Sequence, residues 1–465
     1  MLLIMRNGFL QALQVVSSIV LAQAIVPSEY GAFTVAATLV GLARAVGDLG
    51  LSQSLVVRQD FDEKDLGTSA AIVLASSISI GSLVGLAGVA ISLGLLSGVG
   101  SAALTAVYAG TLVVDALRLG PIVRLTRMLR FRQIAMATML ESLAGYVVQI
   151  VLLLSGLGVW ALVLGAYARS IIGLVAYVKL GGPIARPRGG DRMRALLRDG
   201  VPYQGPLLLD GLQGAVVPLV VVGALGAHAL GLWAWSTILA VPLAQALITL
   251  QSVLLPSLAR LYGQYRAQFL EASERSVRLI ALLAAAAAGS LFGLAPDLVR
   301  HLFGVRWVGA TGAVQVTLLG IVPLAMLQFL SANLASRRRA GVRFRCALVA
   351  SGATLLLIYP LMLVAGVTGA ALAVAIVGPS LDAALLAHWA QLPLRRATRN
   401  IILALTSIGA ISLLLGRGAD TPVSLGVACL ATAVAAVALV WLIDRSVLRY
   451  AWSLLRNRTA AAPAG

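Results

Sequence analysis

Apolar runs of about 20 residues, the length a helix needs to cross hydrocarbon, recur along the whole of this sequence, and no other feature limits its fold so tightly. They fall at approximately residues 8–26, 31–57, 68–96, 101–123, 134–155, 158–178, 201–223, 229–257, 276–299, 307–334, 346–365, 367–391, 400–416 and 422–443, about fourteen spans in all. Each is too long and too uniformly apolar for the alternating strands of an outer-membrane barrel. In lipid a helix satisfies its own backbone hydrogen bonds, so the expected fold is all-α and polytopic. Composition agrees: 60% of residues are hydrophobic and 11% charged, against roughly 25% charged in soluble domains.

A formal charge of +18 in a soluble protein would point to nucleic acid. Here the basic residues sit between apolar runs, which makes membrane orientation the better reading and removes nucleic acid as a partner. Tiny turns such as Pro27-Ser28-Glu29 alternate with longer basic loops such as 124–132. With both termini cytoplasmic, nearly all of the 35 Lys and Arg fall on the inner side. Only Arg300, Arg306 and Arg417 fall outside, and Arg44, Arg118 and Arg169 lie within spans, which predicts a multi-pass protein of the bacterial cytoplasmic membrane. Residues 22–24 imitate a signal-peptide cleavage site, but Gln11 and Gln14 interrupt the apolar stretch before it, so that segment is read as the first helix.

Cys346 and Cys429 lie in apolar stretches without CxxC or Cys/His spacing, and His228, His301 and His388 are dispersed. No disulfide framework, metal or cofactor is expected from them. The spans and loops predict a six-helix lobe over residues 1–180, a cytoplasmic linker over 181–200 carrying a short amphipathic helix, a second six-helix lobe over 201–393, and a final helix pair with a basic tail over 394–465. A weak internal echo supports the division. Tyr30-Gly31-Ala32-Phe33 opens the second span much as Leu230-Gly231-Leu232-Trp233 opens the eighth, the pattern of parallel repeats.

An ionisable side chain inside a span costs several kcal/mol unless it meets a cavity or a partner, so such residues are the functional candidates. Arg44 and Arg169 lie too deep in their spans to snorkel; Arg118 lies nearer an end. All three are candidate anion-binding residues. The alternative is internal ion pairing, because Asp48 is one turn from Arg44 and Asp115 three residues from Arg118. Glu141, Asp210 and Asp382 are read as structural partners or as proton or sodium sites. Polar stripes on the first helix (Asn7, Gln11, Gln14, Ser18) and the eighth (Gln245, Thr249, Ser252) suit either the walls of a hydrated sugar cavity or helix–helix hydrogen bonds. Pro202, Gly205, Pro206, Gly211, Gly214 and Pro218 read the seventh span as a bendable or kinked helix, the candidate hinge between the lobes.

Ser28-Glu29-Tyr30-Gly31 followed by Gly47-Asp48-Leu49-Gly50-Leu51 resembles the first helical hairpin of the bacterial polysaccharide transporters, or Wzx-type flippases. The stretch from Arg130-Phe131-Arg132 through residues 156–165 is similar to that family's fifth and sixth helices, and residues 254–261 to the end of its eighth. The resemblance implies two six-helix lobes, an extra helix pair, and alternating access around a central, often basic cavity. The substrate it implies is a polyprenyl-diphosphate-linked oligosaccharide, moved from the cytoplasmic to the outer leaflet for cell-surface polysaccharide synthesis. Arginines would hold the diphosphate, amides the glycan, and lipid the tail. The driving force would be membrane potential or a coupled proton or sodium ion through Asp48 or Asp210. Glycosyltransferases and a polymerase are the expected neighbours in the pathway, and a monomer the expected state. The rivals are a lipid II flippase and a multidrug or cation antiporter of the same superfamily. External loops of a few residues offer no room for a catalytic site, so no enzymatic activity is expected.

Overall fold

The computed structural model describes residues 2–58, 62–94, 101–184, 187, 191–248, 266–337, 340–417 and 421–445. Within these the chain is helical, with no strand. Ten helices are long and apolar enough to cross a membrane, eleven if the bent pair Ala102–Leu117 and Leu119–Arg127 is one span. The sequence predicts fourteen, and the difference has a backbone cause. The runs Gly211–Ile248 and Gly341–Ala390 each contain two of the expected spans. They are interrupted at Gly226 (φ 81°) and at Ala365–Gly366 (φ 54° at the glycine), positive dihedrals that cost glycine nothing. The first helix, Leu2–Ala24, runs for 23 residues.

Two compact units divide the chain, residues Met1–Ala234 and Trp235–Gly465. The first contains α1 (Leu2–Ala24), α2 (Pro27–Gly47), α3 (Leu51–Val57), α4 (Glu63–Gly94), α5 (Ser101–Ala109), α6 (Thr111–Leu117), α7 (Leu119–Arg127), α8 (Phe131–Leu154), α9 (Trp160–Gly181) and α10 (Asp191–Ser236), the last ending just past the boundary. The second continues with α11 (240–248), α12 (Arg266–Phe292), α13 (Ala295–Leu298), α14 (Thr311–Ser336), α15 (Ala340–Ala371), α16 (Gly378–Ala390), α17 (Arg395–Gly416) and α18 (Pro422–Ile443). In that unit α17 and α18 pack on each other and on α12, and Trp235 stacks on Trp307 with ring centroids 4.0 Å apart.

Two features of the first unit depart from the sequence reading. The span expected over 31–57 is two helices, α2 and α3, meeting where Leu49 and Gly50 both take positive φ (52° and 69°). The segment 191–198, expected as a separate surface helix, forms the first turns of α10. That helix runs without a break through Pro202, Gly205, Pro206, Gly211 and Pro218, and its only non-helical residue is Gly226. Prolines survive inside membrane helices where neighbouring groups take over the freed carbonyls.

Polar contacts secure the basic ends of the helices. The Arg127 guanidinium donates to the carbonyls of Leu55, Val56 and Arg58 at 2.7, 3.1 and 2.9 Å, closing the end of α3. Arg124 donates to Gly181 and Pro183 at 2.6 and 3.2 Å, closing α9. Cations at helix C-termini satisfy orphan carbonyls and oppose the negative end of the helix dipole. Arg192 grips Asp65, which is 1% exposed, through Nε and Nη2 at 2.7 and 2.9 Å, and so holds the start of α10 against α4. The two echoed segments touch reciprocally. A Cβ on Gly31 would strike the Ala227 carbonyl, and one on Gly231 would strike that of Pro27, so only glycine permits this approach.

Candidate functional site

A cavity of about 720 Å³ lies wholly within the first unit, walled by α2 to α9. That volume is within the range of small-molecule sites. Pro121 shapes its middle. Proline supplies no N–H to the carbonyl of Leu117, so the helix breaks between α6 and α7 at Arg118, bent by 40°. The break brings Asp115 and Arg118 to the cavity wall together.

A chain of alternating charges crosses this wall. Arg44 of α2 donates to Asp115 at 2.7 Å; Asp115 also accepts from Arg118 at 3.0 Å and from the Ser170 hydroxyl of α9 at 2.9 Å. Arg118 in turn donates to Glu141 of α8. Its guanidinium also lies over the Tyr177 ring, 5.2 Å from the centroid. The two arginines differ in environment: the Arg118 side chain is 13% exposed and that of Arg44 53%. Arg118 is thus occupied on both sides, while Arg44 is held at one edge and open at the other. Gly173 makes room for the inner pair, because a Cβ there would stand about 3.0 Å from the Arg118 guanidinium carbon.

The local pairing of Arg44 with Asp48, the alternative raised by their spacing, does not form. Asp48 sits at the C-terminal cap of α2, where its carboxylate turns to accept from Ser52 at 2.8 Å, while Arg44 reaches across to Asp115. Asp48 lines the cavity and makes no ion pair with a described residue. The break after α2 also puts Arg44 in the last turn of that helix rather than at mid-helix.

Arg169 stands near the middle of α9, exposed on the cavity wall, and makes no hydrogen bond or ion pair with any described residue. Its first side-chain carbons pack over Gly145 of α8. The positive charge reaches Glu141, Tyr108 and Tyr146 across the cavity. Arg44 and Arg169 thus present open guanidinium surface to one space, the arrangement that receives phosphate oxygens through charge-assisted hydrogen bonds.

The other sequence-predicted residues lie elsewhere. Gln11 and Gln14 are half-buried on α1, which packs against α8, and do not line this cavity. Gln245 is exposed in the second unit, and Thr249 and Ser252 fall outside the described residues. Asp210 lies in α10. Asp382, on α16 in the second unit, is 8% exposed, and its Oδ1 has no hydrogen-bond partner among the described residues. Those residues contain no cluster of His, Cys, Asp and Glu that could hold a metal. Apart from Glu141, sequence reasoning missed the cavity face of α8. Glu141, Ser142, Gly145, Tyr146 and Gln149 recur at helical spacing as small or polar residues in an otherwise apolar span, a periodicity visible in the sequence.

A helical multi-pass membrane protein with a charged cavity enclosed by one unit has the build of a transporter, and solved structures agree on the fold. The chain superposes on lipid II flippase MurJ in an inward closed conformation with a TM-score of 0.75, at 12% identity, covering 95% of this chain and 99% of that one. A multidrug resistance MATE family transporter of the MOP superfamily in an inward-facing conformation follows at 0.58 and 16%, with 84% and 95% covered. In sequence the chain matches the polysaccharide biosynthesis protein family over residues 20–311, and it belongs to that family. It is 26% identical over 303 residues to the succinoglycan biosynthesis transport protein ExoT of Rhizobium meliloti (strain 1021). That match spans 63% of this chain but only 59% of the relative's length. These relatives are transport proteins, not enzymes.

Proposed function

We propose that this protein is a flippase that carries polyprenyl-diphosphate-linked oligosaccharides from the cytoplasmic to the outer leaflet of the bacterial inner membrane, for cell-surface polysaccharide synthesis. The observation that carries the reading is Arg169, a guanidinium midway along a membrane helix, open to a cavity and paired with no described residue. Such a group is costly in a membrane unless a ligand or water engages it. Arg169 and the open edge of Arg44 would hold the diphosphate. Arg118, with carboxylates on both sides, would hold the wall in shape rather than bind substrate. With the cytoplasm negative, export of the anion is favoured by about 2.3 kcal/mol per charge per 100 mV if the full field is crossed. Asp48, which has no cationic partner among the described residues, is the place in this unit where a coupled proton or sodium ion would exchange. Family membership supports the polysaccharide pathway, and the relative named for succinoglycan transport supports a glycan cargo.

The test is reconstitution into proteoliposomes with a fluorescent polyprenyl-diphosphate oligosaccharide. Wild-type protein is expected to expose the label to an outside quencher, and Arg169→Gln to fail while inserting normally. Equal translocation by both refutes the assignment. Transport of organic cations with no movement of the lipid would establish the antiporter reading instead, and movement of lipid II alone the lipid II reading.

A further inference from the structure

The charged chain leaves a second part of the same cavity unexplained. Beyond Arg169, on the side away from the basic helix ends held by Arg124 and Arg127, the wall is formed by Phe33 of α2, Tyr108 of α5 and Tyr146 and Gln149 of α8. Phe33 and Tyr108 form a tilted pair with ring centroids 5.6 Å apart. Behind them lies a buried cluster of Ala32, Ala36, Leu104 and Val163, which fixes the rings from the rear and leaves them lining the cavity. The Tyr108 and Tyr146 hydroxyls and the Gln149 amide make no hydrogen bond to any described residue. Phenol and amide groups in an apolar membrane helix ordinarily find a protein partner, because the alternative is an unsatisfied polar group in hydrocarbon. Three on one wall, beside a fixed aromatic pair, mark a surface made for a ligand with both apolar faces and hydroxyl edges.

We propose that this wall is a sugar subsite: Phe33 and Tyr108 receive the C–H face of a pyranose, while Tyr146 and Gln149 hydrogen-bond its hydroxyls. Aromatic rings supply large apolar contact at low entropic cost, and tyrosine and glutamine add donors and acceptors suited to hydroxyl groups. The geometry sets the order of the parts. Phe33 precedes Arg44 on α2 by roughly 16 Å at 1.5 Å per residue, so a glycan joined to a diphosphate at Arg169 and Arg44 extends along the cavity onto this wall. The inference rests on the diphosphate reading above and adds the part of the site that recognises glycan. It also moves that role from Gln11 and Gln14, which do not line this space, to α2, α5 and α8.

The test uses full-length protein in lipid nanodiscs and two probes: polyprenyl diphosphate without sugar, and the same lipid bearing an oligosaccharide. Phe33→Leu and Gln149→Leu are expected to weaken binding of the glycosylated lipid about tenfold while changing the bare diphosphate lipid less than about twofold. Tyr146→Phe, which keeps the ring and removes one hydroxyl, is expected to cost about two- to tenfold on the glycosylated lipid alone. Arg169→Gln weakens both probes. Equal losses on the two probes, or no loss on either, in the wall variants overturns the sugar subsite and leaves the diphosphate site standing. Wild-type protein that binds neither probe overturns both.

Discussion

Arg118 and Arg169 line one cavity, yet the structure gives them opposite consequences when removed. In Arg118→Met, Glu141 keeps its burial, 5% exposed, and loses its guanidinium, while Asp115 retains Arg44. Removing one partner of a buried ion pair costs about 3–5 kcal/mol, because a desolvated charge is left uncompensated. Replacing both partners by apolar groups of similar volume is often close to neutral. Arg118→Met combined with Glu141→Met is therefore expected to recover to within about 1 kcal/mol of wild type. Arg169→Gln removes an exposed side chain with no ion pair to a described residue and should stay within about 0.5 kcal/mol. Equilibrium unfolding in mixed micelles, following tryptophan fluorescence, measures all three variants. The reasoning fails if Arg118→Met costs less than about 1 kcal/mol, or if the double variant is as unstable as the single one.

Other variants test the packing that supports the site. Gly31→Val and Gly231→Val are expected to abolish accumulation of folded protein, since each side chain would drive into a backbone carbonyl; Gly214→Ala, which meets nothing within 4 Å, should accumulate normally by in-gel fluorescence of a tagged chain. Gly173→Ala is expected to destabilise the protein by about 1–3 kcal/mol through pressure on the Arg118–Glu141 pair, measured by the same unfolding assay. Asp65→Asn removes the charge that Arg192 grips, and hydrogen exchange at residues 192–200 should speed up at least tenfold relative to wild type while α9 is unchanged.

Sequence alone carried the helical membrane fold, because span length and apolarity are local properties. It also carried the arginines, since a charge within an apolar run is visible without coordinates. Pairing was visible only in part: Asp115 and Arg118, three residues apart, do pair at 3.0 Å. Spacing favoured Arg44 with Asp48, but the turn at Leu49 and Gly50 directs that carboxylate to Ser52 and leaves Arg44 to a partner 71 residues away. Two span boundaries were legible as well: the expected spans part between 223 and 229 and between 365 and 367, where the helices are interrupted at Gly226 and Gly366. The stripe on α1 was as polar as the one on α8, and only tertiary packing shows which of the two walls this cavity.

The most direct measurement is a structure of the protein with a polyprenyl-diphosphate-linked oligosaccharide bound. Diphosphate oxygens are expected about 2.7–2.9 Å from the Arg169 guanidinium, with Arg118 still joined to Asp115 and Glu141. A diphosphate seated outside this cavity, with Arg169 turned away from it, would contradict the account.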